Sequence, residues 1–236
     1  MSEKILGIIG GMGPEATADL YLKIIRNTPA NCDQEHMHIL IDGNAKIPDR
    51  VQAIFEGGED PSPILAAMAH RLFEGGADYL AIACNTAHFF YDSIQSAVPI
   101  PVLHMPKLTI DFIRVQYPQV KKIGLLATNA TIRTGLYQNI ADDFGLETLA
   151  LANPYQQNLV QNSIHLIKAG KKAEAAKAIR QAAEMLIQQG AEVIIAGCTE
   201  IPLVLENGMI SIPVIDPTLV LAKEIVATRA GEGVFS

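Results

Sequence analysis

Apolar positions along this chain gather in short unbroken runs. Each run is closed by glycine, proline or polar residues and followed by a longer stretch with apolar positions at helical spacing. Runs of this kind read as buried parallel strands, and the stretches between them as covering helices. Strands are predicted at residues 4–10 (KILGIIG), 37–41, 76–84 (GADYLAIAC) and 98–103, then at 122–127 (KIGLLA), 147–151, 190–198 (GAEVIIAGC) and 212–215. A helix is predicted from Pro14, with Pro14 and Glu15 suited to its first turn and Ala18, Tyr21, Leu22 and Ile25 as its buried stripe. Residues 42–50 read as a polar loop, and the turn-rich break at 56–63 precedes a helix to about Glu74. A short helix is predicted after Cys84, one from about Thr131, and others over 154–168, 173–189 and 217–228.

The pattern repeats. In both GADYLAIAC and GAEVIIAGC a Gly-Ala-acid turn leads into an apolar run that ends at a cysteine, eight residues on in each case (84 − 76 and 198 − 190). Gly7 and Gly124, Cys84 and Cys198, and Pro101 and Pro213 recur in the same order, at offsets of 117, 114 and 112 residues (124 − 7, 198 − 84 and 213 − 101). Three landmarks in order at nearly one offset indicate a duplicated half-domain. The expected fold is therefore α/β, two pseudo-symmetric lobes each built on a parallel sheet covered on both faces. The division is expected as 1–103 plus 216–236 for the lobe carrying Cys84, and 104–215 for the lobe carrying Cys198. Open α/β sheets bind ligands at the carboxyl ends of their strands, which is where both cysteines fall. Facing lobes would set the two thiols on either side of a cleft, suited to removing a proton from one face of a carbon and delivering one to the other.

Composition narrows the field. At 236 residues, 49% hydrophobic and 18% charged, the chain has the make-up of a globular protein. A formal net charge of −7 without a Lys/Arg-rich run lacks the surface that neutralises nucleic-acid phosphates. Three cysteines make no disulfide framework, and Cys32, between Asn31 and Asp33, reads as an incidental surface thiol. The apolar run at residues 5–9 is too short for a signal sequence, and none approaches the roughly 20 residues that span a bilayer. A reducing cytoplasmic setting is expected, in which thiols stay available for chemistry.

Cys84 and Cys198 are the first candidates. A buried cysteine at a strand end is usually packing, but a matched pair is not explained that way. Each is followed by polar residues, Asn85-Thr86 and Thr199-Glu200, at an expected helix start, where backbone N–H groups lower a thiol's pKa and hold a carboxylate. Gly10-Gly-Met-Gly13 does not meet the dinucleotide spacing and reads as a tight strand-to-helix turn with Met12 touching a ligand through its backbone. Arg50, after a first-half strand, and Lys168, ending a second-half helix, are the candidate cations for a dicarboxylate; solvated surface charge is the competing account. Thr128 and Thr131 occupy in the second half the place of the glycine turn, and either cap a helix or bind an ammonium or carboxylate. The six histidines share no metal-ligand spacing with the cysteines, so no metal is expected. No G-x-S-x-G elbow supports a serine hydrolase.

Gly10-Gly-Met-Gly-Pro14, Ala83-Cys-Asn-Thr-Ala-His88, Gly124-Leu-Leu-Ala-Thr128 and Gly197-Cys-Thr-Glu200 together resemble the aspartate/glutamate racemase family, the cofactor-independent two-cysteine kind. The resemblance spans nearly the whole chain. It implies Cys84 and Cys198 as the acid/base pair, carboxylate-binding roles for Arg50, Asn85, Thr86, Thr199 and Lys168, a backbone contact at Met12, no cofactor, a small acidic amino acid as substrate, and a homodimer. Glutamate racemases usually carry His after the second Cys-Thr; Glu200 here favours the aspartate branch. The expected reaction is a 1,1-proton transfer at Cα. Maleate cis–trans isomerases and hydantoin racemases share the fold and stand as alternatives, as does a catalytically silent amino-acid-binding protein.

Overall fold

The computed structural model describes residues 4–230. Residues 1–3 and 231–236, assigned above to the first lobe, lie outside the described residues. The elements run β1 (Leu6–Gly10), α1 (Pro14–Asn27), β2 (Ile39–Gly43), α2 (Arg50–Phe55), α3 (Ser62–Glu74), β3 (Tyr79–Ile82), α4 (Tyr91–Ser96), β4 (Val102–Leu103) and α5 (Met105–Gln116). They continue as β5 (Lys122–Ala127), α6 (Asn129–Arg133), α7 (Gln138–Asp142), β6 (Glu147–Leu149), α8 (Asn162–Lys168), α9 (Lys172–Gln188), β7 (Val193–Gly197), β8 (Val214–Ile215) and α10 (Pro217–Ala230). Contacts divide the chain into two compact units, residues up to Met105 with those from Thr218 onward, and Pro106–Pro217. No described helix is long and apolar enough to cross a membrane.

Each unit is built on one four-stranded parallel sheet, ordered β2-β1-β3-β4 in the first and β6-β5-β7-β8 in the second. The central strands β1, β3 and β7 are buried throughout and the outer strands β2 and β6 are partly exposed, as expected of parallel sheets covered by helices. Helix α3 buries Leu65, Met68, Ala69 and Leu72, and α9 buries Ile179, Ala182, Ala183 and Leu186, the same four places 114 residues on. Each fully buried leucine or isoleucine in these stripes contributes about 1.5–3 kcal/mol of transfer free energy.

The repeat extends to single atoms. A Cβ on Gly7 would lie 2.5 Å from Leu80 and 3.1 Å from both Leu72 and Ala77; on Gly124 it would lie 2.5 Å from Ile194, 3.0 Å from Ala191 and 3.2 Å from Leu186. Both glycines are thus fixed by a helix packed directly on the strand. The acid of each Gly-Ala-acid turn ties the turn to the neighbouring strand. Asp78 accepts the Ile5 N–H at 2.6 Å, and Glu192 those of Lys121 and Lys122 at 2.6 and 2.8 Å.

Several elements differ from their sequence-based expectation. In α1 the buried residues are Ala16, Thr17, Leu20 and Ile24, while Tyr21 and Leu22 are exposed. The Thr17 hydroxyl accepts from Gly11 N and donates to the Gly13 carbonyl, both at 2.9 Å, which fixes the rotation of the helix about its axis. The loop expected at 42–50 ends in α2, capped by Asp49, which accepts from Val51 N and Gln52 N. Helix α5 is an element the apolar pattern did not single out. The helix expected from Thr131 is split into α6 and α7 around Gly135, at φ +68°. That expected over 154–168 opens with a π-helical turn, Gln156–Gln161, before α8. Strands β4 and β8 are only two residues long because the prolines before them lack an N–H, and Pro101 and Pro213 join the ladder only as acceptors from Leu80 N and Ile194 N.

Candidate active site

In the first unit, β3 delivers Cys84 two residues past its last paired position, Ile82, beside the glycine turn that follows β1. Only glycine fits at position 11, whose φ is +92° and where a Cβ would lie 2.3 Å from the Asn44 backbone. Met12, Ile47 and Cys84 belong to one buried apolar cluster. Cys84 is 6% exposed, and Asn85, Thr86 and His88 are buried beside it. Arg50 opens α2, which packs on the 3-10 turn Thr86–Phe90. One end of its guanidinium donates to the carbonyls of Pro48 (2.9 Å) and Ile47 (3.3 Å), while its buried Nε has no hydrogen-bond partner among the described residues.

The sequence assigned no role to His88, four residues past Cys84, and the structure gives it a structural one. Met105 N donates to its Nε2 at 3.1 Å, so the ring proton resides on Nδ1 and is donated to the Cys84 carbonyl at 2.9 Å. Burial, reinforced by His104, pushes the His88 pKa down to about 3, so the ring is neutral. His88 thereby anchors the Cys84 backbone to the chain that leaves β4.

In the second unit, Ala127 of β5 pairs with Gly197 of β7, so Thr128 and Cys198 leave the sheet side by side at its carboxyl edge. The Thr128 hydroxyl accepts from Thr131 N (3.1 Å) and donates to the Thr131 hydroxyl (3.0 Å), the capping use of this pair. The adjoining backbone is held by Gln156, which donates to the Ala127 carbonyl and Asn129 Oδ1, and by Gln161, which accepts from Asn129 N. Both glutamines are buried and come from the π-helical turn; their polar spacing gave no sequence signal of this.

Cys198, 5% exposed, donates its thiol proton to Glu200 Oε2 at 2.9 Å, and the Thr199 hydroxyl reaches the same oxygen at 3.2 Å. Lys168 Nζ stands 4.0 Å from the other carboxylate oxygen. The lysine expected to meet substrate is therefore paired with a buried glutamate, and Glu200 has a chemical place beyond its value as a branch marker. The expected lowering of the thiol pKa by a helix start is reversed here. Only a 3-10 turn, Ile201–Leu203, follows Cys198, and burial and the Glu200 charge push its thiol up, against the opposing pull of Lys168.

The exposed Cys32 takes no part in either cluster. Among the described residues, no group of three or more His, Cys, Asp or Glu is placed to hold a metal ion. Residues 9–225 match the Asp/Glu/Hydantoin racemase family. The chain belongs to that family. It is 31% identical to the broad-specificity amino-acid racemase of Bacillus subtilis (strain 168), over 95% of this chain and 97% of the relative. The structure of the Picrophilus torridus aspartate racemase superposes with a TM-score of 0.87 at 32% identity, covering 97% of this chain and 94% of that one. An aspartate racemase homologue from Pyrococcus horikoshii OT3 does so with a TM-score of 0.77 at 25% identity, covering 97% and 100%. This racemase-family chain thus shares the two-sheet architecture, and it spans nearly the full length of these three proteins.

Proposed function

We propose that this racemase-family protein interconverts L- and D-aspartate by a two-base 1,1-proton transfer, with Cys84 and Cys198 acting on opposite faces of Cα and no metal or organic cofactor. One observation carries the reading. The two sheets place cysteine at the same register, four residues beyond the strand residue (Leu80 or Ile194) that pairs with the packing glycine (84 − 80 and 198 − 194). Packing alone requires no thiol at both places. Family membership and the likeness to the Picrophilus torridus aspartate racemase support an amino-acid substrate, and Glu200 in place of histidine supports aspartate over glutamate.

The difficult step is removal of a very weakly acidic Cα proton without an electron sink. The chain's own means of lowering that barrier is preorganised donors aimed at the α-carboxylate as carbanion character develops. Asn85 and Thr86 beside Cys84, and Thr131 beside Cys198, are assigned this work; the Thr128 hydroxyl is given to Thr131 and that of Thr199 to Glu200, so these two positions and Met12 contribute their backbone. Arg50, its Nε buried and unpartnered, is assigned a substrate carboxylate, with Lys168 as the second cation.

The test is incubation with L-aspartate, L-glutamate and maleate in D₂O. Deuterium at Cα together with loss of optical rotation is expected with aspartate. Ligand binding without Cα exchange, or fumarate formed from maleate with no exchange into aspartate, overturns the reading.

A further inference from the structure

We propose that Glu200 holds Cys198 as the protonated partner in the resting enzyme, which makes Cys198 the proton donor and Cys84 the base of the first half-reaction. The assignment of half-reactions rests on the two-cysteine reading above; the location of the proton does not.

The geometry decides where the proton sits. A sulfur and a carboxylate oxygen 2.9 Å apart share one proton. The Thr199 hydroxyl bonds the same oxygen, and the Lys168 ammonium stands 4.0 Å from the other. Sulfur is the donor of this bond and the carboxylate its acceptor, with the Lys168 ammonium beside the carboxylate, so the proton belongs to sulfur. Glu200 and Cys198 are almost wholly buried, at 4% and 5% exposed, so solvent does little to screen the charge. The Tyr137 hydroxyl also acts on this sulfur and is itself buried and kept neutral. On the Cys84 side the histidine four residues on is neutral and is spent on backbone groups.

In the forward step the S–H bond of Cys198 breaks, its proton goes to the Cα carbanion, and the electron pair stays on sulfur. Cys84, having taken the original Cα proton, ends as a thiol. The product state therefore has a thiolate beside a carboxylate, and the Lys168 ammonium offsets the repulsion. Return to the resting state needs only proton exchange with solvent, a loss at Cys84 and a gain at Cys198. Glu200 is thus a positioning residue acting through sulfur.

The experiment is the pH dependence of iodoacetamide alkylation, followed separately on the Cys84 and Cys198 peptides by mass spectrometry. In Glu200→Gln the alkylation midpoint of Cys198 is expected to fall by about one pH unit or more, with that of Cys84 unmoved. Lys168→Gln removes the opposing charge and is expected to move the Cys198 midpoint upward, which keeps the idea testable should the first variant fail to fold. A Cys198 midpoint that stays put or rises in Glu200→Gln overturns the proposal. So does faster alkylation at every pH without a midpoint shift, the mark of a merely loosened structure. For Lys168→Gln, an unmoved or lowered midpoint overturns it. A midpoint shift as expected in a protein that catalyses no Cα exchange would leave the Cys198–Glu200 coupling standing and remove only the racemase reading.

Discussion

The two units share a scaffold and differ around their cysteines. Strand order, the packing glycines 7 and 124, the α3 and α9 stripes and the acid-tied turns correspond residue for residue. Past the cysteines the correspondence stops. The first unit follows Cys84 with a neutral, buried histidine bonded to backbone on both sides. The second follows Cys198 with a hydroxyl and a buried carboxylate, and sets an ammonium from α8 against that carboxylate. The same holds one strand over, where a glycine turn pinned by Thr17 in the first unit is replaced by a threonine cap braced with two glutamines. Packing has preserved the repeat, and chemistry has broken its symmetry.

The largest effect tests what the halves have in common. Cys84→Ala and Cys198→Ala are each expected to lower racemisation by about 10²–10⁴-fold or more, the scale of losing a general acid or base. Circular dichroism should remain unchanged. Equal loss in both variants fits a two-base reaction; a variant that keeps full activity exempts its unit from the chemistry.

Next comes a property of the first unit. His88→Ala strips partners from Met105 N and the Cys84 carbonyl and is expected to cost about 1–3 kcal/mol in urea unfolding. It should also change the response to acid. The folded His88 pKa is about 3 against 6.5 for the free side chain, so between those values the unfolded chain binds the proton and the folded one does not. The stability this histidine confers is full above about pH 6.5 and falls by roughly 1 kcal/mol per unit below it. Urea midpoints at about pH 7.5 and about pH 5.5 should therefore differ more in the wild type than in the variant. Parallel shifts in both proteins would place the acid sensitivity elsewhere.

Smaller, and equal on the two sides, is the cost of filling the packing contacts. Gly7→Ala and Gly124→Ala each drive a Cβ to 2.5 Å from the tip of a buried side chain, Leu80 or Ile194, and should each destabilise by about 1–3 kcal/mol. Because a flexible side-chain end can yield, the lower half of that range is expected. A wide disparity between the variants would mean that the repeated geometry does not carry repeated energetics.

What the chain's apolar pattern could reveal follows the same divide. Strands buried on both faces are continuous apolar runs, so the paired sheets and the cysteines at their ends were legible. The rotation of α1 was not, because its apolar residues occupy two faces, and the choice between them is made by the bond from Thr17 to the glycine turn. The short α2 is signalled only by the Asp49 cap, and the π-helical turn only by glutamines whose partners lie some 30 residues away (156 − 127 and 161 − 129). At the site, cysteine positions were readable from register, but their proton affinities were not. Glu200 stands two residues from Cys198, a spacing with many outcomes until burial and Lys168 fix one.

The smallest effect probes the acid-tied turns, where the two halves use one device with unequal strength. Asp78 accepts a single backbone N–H, from Ile5, whereas Glu192 accepts two, from Lys121 and Lys122. These two N–H groups hold the Glu192 carboxyl below its ordinary range. A carboxyl whose folded pKa is depressed stabilises the fold above its unfolded pKa, and that contribution is lost as pH falls through the folded value. Glu192→Gln should accordingly speed hydrogen exchange at Lys121 and Lys122 at neutral pH, and the difference from wild type should close in acid, where both side chains are neutral. Asp78→Asn should free only the Ile5 amide. Because Glu192 is open to solvent, either change should move the melting temperature less than the glycine substitutions do. Exchange at Lys121 and Lys122 that ignores Glu192→Gln would show the turn to be held by the packing of Leu186 and Ala191 on Gly124 alone, leaving the acid in each repeat as an inherited residue with no mechanical part.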